Sequence, residues 1–344
     1  MSLQIRRANL DSDRLALIEL IRSHLTLRSD VTRFKWLYCD GPFGEAQAWV
    51  AQDEATGEIA GAAAAFPRRM YFDGEEKMGL VLGDFCMGER YRSLGPSLQL
   101  QSACLRAINQ GPFEFFYDFP SASMMAVYKR LAVPQAGTFV RWAKPLRVEE
   151  KIESVIRAKS LARAIGVVAN LALARRGWEG SKDACEIEPH PGPCGDEFTV
   201  LDSQLRSQPG IKTARTAQYL NWRYLTHPDS MHDILAARRE GALIGYTVCT
   251  RNPADAVIVD LCSVDEPNVI ARLLGAAVEK FRLCGAATVS LSTGDSHPWQ
   301  SVFEKAGFRR REISPLVACG RANGSVSGIY FQRNWHVMRG ERDS

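Results

Sequence analysis

The chain repeats itself, and a duplicated unit constrains everything each half can fold into. Near the start of each half stands the same W-x-Y-x-x-x-P frame: Trp36, Tyr38 and Pro42, then Trp222, Tyr224 and Pro228. A strand-turn-strand pattern follows each frame. Residues 48–66 contain Gly57 and Gly61, and residues 233–250 contain Gly241 and Gly245. In both, Gly-x-x-x-Gly opens the returning strand, as a hairpin turn leading into an apolar edge requires. Near the end of each half a short helical pattern recurs, V-Y-K-R-L-A-V at 127–133 and V-F-E-K-A-G-F at 302–308. Three landmarks in the same order imply a tandem duplication.

The expected fold class is therefore α/β, an α+β mixed sheet in two tandem domains, 1–147 and 196–344. Residues 148–195 read as a linker, helical at first and then rich in Pro and Gly. The linker helix carries Arg157, Lys159 and Arg163 beside apolar residues and reads as packed across the domains, with a membrane-surface role as the alternative. At 344 residues the chain is about twice the modal domain of ~100–150, and 46% apolar with 24% charged residues excludes a disordered or fibrous chain. The net charge of +4 is too dilute to mark a nucleic-acid partner. The longest apolar-dominated run, 164–174, is shorter than the ~20 residues of a transmembrane helix, and the N-terminus lacks a signal-peptide core. Nine cysteines without a C-x-x-C pair read as reduced thiols of a cytoplasmic protein. Cys185, His190 and Cys194 lack paired spacing, so no metal is expected.

The chemistry concentrates in residues 80–108. An apolar strand, 80–87, leads through Arg92-Ser93-Leu94-Gly95-Pro96-Ser97 into a helix with apolar residues at Leu98, Leu100, Cys104, Leu105 and Ile108. Pro96 suits a first helical turn, and Gly95 permits close approach of another group. Unpaired N–H groups and the positive end of a helix dipole then meet at one point, a cradle for a pyrophosphate. A strand at 113–119 and the segment 121–133 follow.

This arrangement resembles the acetyl-CoA-binding motif Q/R-x-x-G-x-G/A of the GNAT acyltransferase superfamily, with Arg92, Gly95 and Ser97 at its positions. Residues 121–133 resemble the superfamily's N-x-x-A-x-x-x-Y-x-x-x-G-F box, with Tyr128 at the tyrosine. The chain departs from the pattern in Ser97 for Gly/Ala, in Ser121 for Asn and in Pro96, which removes one N–H donor. The resemblance covers both halves and implies two tandem GNAT-like domains with acetyl-CoA or another acyl-CoA as co-substrate. It implies that the fourth strand splays from the fifth, and that Phe85, Cys86 and Met87 line the pantetheine arm. A main-chain N–H near Met87 would bind the thioester oxygen. Ser93, Leu94, Leu98 and Ser121 complete the cofactor-binding set. Tyr128 would be the general acid for the leaving thiolate, and Asp84, at the position of a catalytic Glu in many members, the general base, with Glu89 and Asp118 as alternatives. An amine with a pKa of about 10 needs such a base. Cys86 has no His near it in sequence and reads as a core thiol. Trp36 and Tyr117 are candidates for a platform under the acceptor, against a purely packing role. The second half, with Asp265-Glu266-Pro267 before its helix and Phe303 in place of the tyrosine, reads as a degenerate copy.

The reaction these readings imply is acyl transfer to a primary amine of a small molecule or amino sugar by direct attack. The alternatives are a non-catalytic acyl-CoA-binding regulatory module and an aminoacyl-tRNA-dependent transferase of the peptidoglycan type. A homo-oligomer is left open.

Overall fold

The computed structural model describes residues 2–147, 185–228, 231–250, 256–264, 267–321 and 335–342. The first half runs β1 (Leu3–Arg7), α1 (Arg14–His24), α2 (Val31–Phe34) with a π-helical turn (Lys35–Cys39), β2 (Gln47–Asp53), β3 (Ile59–Phe72) and β4 (Glu75–Met87). It continues through α3 (Leu94–Leu105), β5 (Phe115–Asp118), α4 (Ala122–Arg130) and β6 (Gln135–Pro145). The second half repeats the order: β7 (Glu186–His190), α5 (Asp196–Arg206), β8 (Ile211–Thr213), then α6 (Ala217–Leu220) with its π-helical turn (Asn221–Leu225). After these come β9 (His232–Arg239), β10 (Ala242–Thr250), β11 (Ala256–Ser263), α7 (Pro267–Leu283), β12 (Thr288–Gly294), α8 (Gln300–Lys305) and β13 (Arg309–Gly320). Every repeated sequence landmark falls on the same element of each copy.

The local causes repeat as well. Asp30 and Thr216 cap the equivalent short helices, accepting from the N–H of Arg33 and of Tyr219. Gly57 and Gly241 take positive φ, +73° and +82°, in the two hairpins. Gly61 and Gly245 serve a different need, because a Cβ at Gly61 would lie 2.3 Å from Met87 Sδ and one at Gly245 2.8 Å from Cys262 O. At both positions the strand lets the end of its neighbour approach too closely for any side chain.

All the strands belong to one 13-stranded sheet ordered β1-β2-β3-β4-β5-β13-β6-β12-β11-β10-β9-β7, with β8 on β3. Each half gives its last strand to the other: β13 pairs with β5, and β6 pairs with β12. Val140 and Trp142 of β6 are consequently buried in the core under α7 and α8. On the opposite face one cluster contains both halves, and the two indoles meet there. Trp36 and Trp222 stack at 5.0 Å, and each Nε1–H donates to the other's carbonyl oxygen, at 2.8 and 2.9 Å. β7 lies within the stretch read as linker and pairs with β9 as β1 pairs with β2. Pro189 is tolerated there because β7 is a sheet edge. The expected linker helix lies outside the described residues.

Candidate functional site

β4 and β5 pair in parallel only at Gly79–Phe115, Leu80–Phe116 and Val81–Tyr117. Beyond Val81 they part, and β4 runs on to Met87 paired with β3 while β5 ends at Asp118. The divergence opens the sheet's pairing between them, with Phe85, Cys86 and Met87 on β4 past the last pair. In the β3–β4 ladder Gly83 faces Ala64 and Cys86 faces Ala62, so Asp84 and Phe85 together oppose Ala63. This is a β-bulge, whose extra residue leaves main-chain groups out of the ladder. Asp84 holds φ at +47°, a left-handed conformation that Asp adopts more readily than most residues.

What pins the bulge is the Asp84 carboxylate, 1% exposed. Arg33 donates to its two oxygens at 2.9 and 2.8 Å, and the Tyr38 hydroxyl donates at 2.9 Å. Asp260, at the matching strand position of the second copy, is also held by an arginine and a tyrosine, but from other positions: it accepts from Arg215 Nε at 3.1 Å and from the Tyr246 hydroxyl at 3.1 Å, and it pairs with Val248 in the ladder. Burial pushes the Cys86 thiol up to about 12, which keeps it neutral and unreactive.

Past Met87 the chain passes through Arg92 and Ser93 into α3, and residues 92–95 are exposed. The first-turn amides of Leu94 and Gly95 have no partner within a helix, and Pro96 has no N–H. A Cβ built on Gly95 would have nothing within 4 Å, so the space over this turn is open. Arg92 reaches back to Met87 O at 3.4 Å. Ser97 is buried, its hydroxyl donating to Ser93 O at 2.8 Å, and Leu98 packs against the cluster under α3. Ser121 caps α4 through the Met124 N–H at 3.3 Å.

Tyr128 projects from α4 and is fully buried, its hydroxyl donating to Asp118 Oδ2 at 2.6 Å and accepting from Gln101 Nε2 at 3.1 Å. Burial drives the Asp118 carboxyl up to about 6, against the lowering effect of the Tyr128 hydrogen bond. Burial, then the Asp118 charge, raises the Tyr128 phenol well above its usual value. Asp118 is only partly buried and ends the strand at the lip of the opening. Phe85, Cys86 and Met87 thus lie on β4 past its last pair with β5, residues 92–98 on the turn and first helical turn that follow, and Ser121 and Tyr128 at the cap and on the buried face of α4. Trp36 and Tyr117 do not join them: Trp36 is spent on the contact with Trp222, and Tyr117 is wholly buried between Phe115, Phe119 and Trp335. Gln101, which sequence reasoning passed over, had one available signal, a polar residue on the buried face of an apolar helix.

The second half has the same divergence, since β11 and β12 pair only through Ile258–Leu291. Its opening holds the chain's own C-terminal segment. Val337 O accepts from Gly294 N at 3.1 Å and Met338 bridges Thr293. Val337 packs into the core on one sheet face and Met338 into the core on the other. Glu341 lies buried 3.1 Å from Arg215. Asp265 and Glu266 lie outside the described residues.

No protein-family model and no curated protein matches the sequence. Solved structures do match. A GCN5-related N-acetyltransferase from Anabaena variabilis superposes with a TM-score of 0.66 at 12% identity, over 92% of this chain and 72% of that one. A probable N-acyltransferase of unknown function from Enterococcus faecalis gives 0.65 at 12% identity, with the same coverage. A tandem GNAT protein from the clavulanic acid biosynthesis pathway gives 0.58 at 12% identity, over 94% of this chain and 100% of that one. The chain has the tandem GNAT fold.

Proposed function

We propose that this protein is a CoA-dependent N-acyltransferase, in the first instance an acetyltransferase, acting on the primary amine of a small molecule through its first half. The observation that carries the reading is the opening between β4 and β5, flanked by a main-chain bulge and headed by the exposed first turn of α3. Arg92 and the amides of Leu94 and Gly95 offer a pyrophosphate its charge and donors. The edge of Phe85, Cys86 and Met87 lies where a pantetheine arm would run, and the bulge supplies main-chain groups for a thioester oxygen.

Asp84 is committed to Arg33 and Tyr38, so the base in this proposal is Asp118. A carboxyl poised near 6 is mostly ionised at neutral pH yet basic enough to accept a proton. An ammonium substrate first gives up its extra proton to solvent; the neutral amine then forms the new C–N bond as the C–S bond breaks, and one proton must travel from nitrogen to sulfur. Asp118 takes that proton; Tyr128 gives its own to the thiolate and recovers one from Asp118 across the 2.6 Å hydrogen bond. The proton count closes with both groups restored.

The test is thiol release from acetyl-CoA across a panel of amines, alongside Tyr128→Phe and a thermal shift. Acetyl-CoA at 100-fold over its Kd adds about 2.7 kcal/mol of stability. No shift, or equal turnover by Tyr128→Phe, refutes the cofactor or the acid respectively.

A further inference from the structure

A second cavity, of about 290 Å³, lies on the sheet face that carries Phe139, between β6, β12 and β13 and under the C-terminal segment. Among the described residues its charged lining is Arg141, Arg339, Arg342 and Glu312. It adjoins the reaction site in two ways. Arg342 and Asp118 lie close enough to feel each other's charge. Phe139, which lines the cavity, packs at 4.7 Å on Phe119, the residue after Asp118. Residues of both halves build it, Arg141 from the exchanged strand of the first and Ser292 and Ser314 from the second. Glu312 engages one of the three arginines, Arg141, at 3.1 Å. The described lining carries three guanidinium groups and one carboxylate in a space of amino-acid dimensions, beside the group assigned as base.

We infer that this cavity receives the acceptor and that the acceptor carries an anionic group, a carboxylate or a phosphate, set away from its amine. The inference rests on the acyltransferase reading. Arginine suits either anion through paired N–H donors, and the neighbouring Ser292 and Ser314 hydroxyls can complete its hydrogen bonding. Held there, the anion would turn the amine toward Asp118. The strand exchange acquires a purpose, because neither half alone contains the cavity.

The test uses matched pairs that differ in charge: 6-aminohexanoate against 6-aminohexanamide, and phosphoethanolamine against ethanolamine. Thiol release from acetyl-CoA should favour the anionic member of at least one pair about tenfold or more in kcat/KM, the worth of one charge-assisted hydrogen bond. The preferred pair tells carboxylate from phosphate. Arg339→Gln and Arg141→Gln should each shrink the preference by raising KM with kcat little changed, their melting temperatures certifying the fold. Equal rates within both pairs, or a preference surviving both substitutions, overturns the inference. If acetyl-CoA binds but no thiol is released, the acyltransferase reading fails, and calorimetric titration of the same pairs decides this one. Tighter binding of an anion that either substitution weakens supports it; no difference within the pairs, or no binding in the millimolar range, overturns it.

Discussion

Substituting Asp84 separates a structural carboxylate from a catalytic one. In the folded protein its side chain is fully buried against an Arg33 side chain 10% exposed, with two guanidinium hydrogen bonds and one from Tyr38. Removing one partner of a buried ion pair leaves an uncompensated charge and costs about 3–5 kcal/mol. Asp84→Ala should fall at the upper end, since it also orphans the Tyr38 hydroxyl and places alanine at φ +47°. Asp84→Asn should fall at the lower end, because asparagine tolerates that φ and keeps one acceptor oxygen. At roughly 2 °C per kcal/mol for a large domain, melting should drop by roughly 6–10 °C by differential scanning fluorimetry. Turnover per folded molecule, measured well below the transition, should stay within a few-fold for Asp84→Asn. Asp260→Asn is the internal control, with a smaller loss because Glu341 still faces Arg215 at 3.1 Å. An Asp84→Asn protein that melts like the parent but loses turnover by ~10²–10⁴ would place the base at Asp84 and refute the reasoning.

Gly95→Glu should fold at least as well as the parent, since the site is open and an acidic residue suits a first helical turn, yet weaken acetyl-CoA binding tenfold or more by calorimetry. Unchanged affinity would remove the turn from the cofactor site. Asp118 must be ionised to accept a proton, so kcat/KM should fall as pH drops through about 6, and Asp118→Asn should abolish both that limb and most of the rate. Because its folded value is raised, the Asp118 contribution to stability is full at low pH and lost as pH rises through about 6. Asp118→Asn should therefore raise the melting temperature at pH 8 relative to pH 4, and a reversed pH trend would contradict the burial assigned to Asp118. Trp36→Ala and Trp222→Ala should each cost about 3–5 kcal/mol in urea unfolding, and the double variant should cost clearly less than their sum. Additive losses would mean that the reciprocal hydrogen bonds carry no coupling.

What the sequence disclosed was whatever local physics writes twice. Gly57 and Gly241 announce turns, Gly61 and Gly245 mark the opening of the returning strands, and residues 80–108 read as the strand, turn and helix that β4 and α3 form, but the close approach at Gly61 and Gly245 shows only in the packing. The linker reading obscured β7, because Pro189 argues against a strand unless the strand is known to lie at an edge. Asp84 carried the right residue type for a base, but only the distances to Arg33 and Tyr38 reveal where its charge is spent. The cavity arginines lie on two separate stretches of chain, Arg141 on one and Arg339 and Arg342 on the other, and no spacing rule joins residues that a strand exchange brings together.

The asymmetry between the copies then has a mechanical origin. β5 and β13, β13 and β6, and β6 and β12 are all antiparallel, so β5 and β12 point in opposite directions, and their C-terminal ends lie at nearly the same height, Asp118 level with Gln135 through Val317 and Gly294 level with Phe139. Among the described residues only one of the two divergences is open. In the second, residues 337 and 338 sit as a strand would, and Glu341 anchors them to the Arg215–Asp260 pair. The same segment goes on to bring Arg342 beside Asp118 and Arg339 into the basic cavity. Filling one site and furnishing the other are thus two ends of a single stretch of chain. The second copy contributes to the proposed chemistry through the strand it gives away and the tail it extends, a division that duplication of a self-sufficient unit permits and a single copy does not.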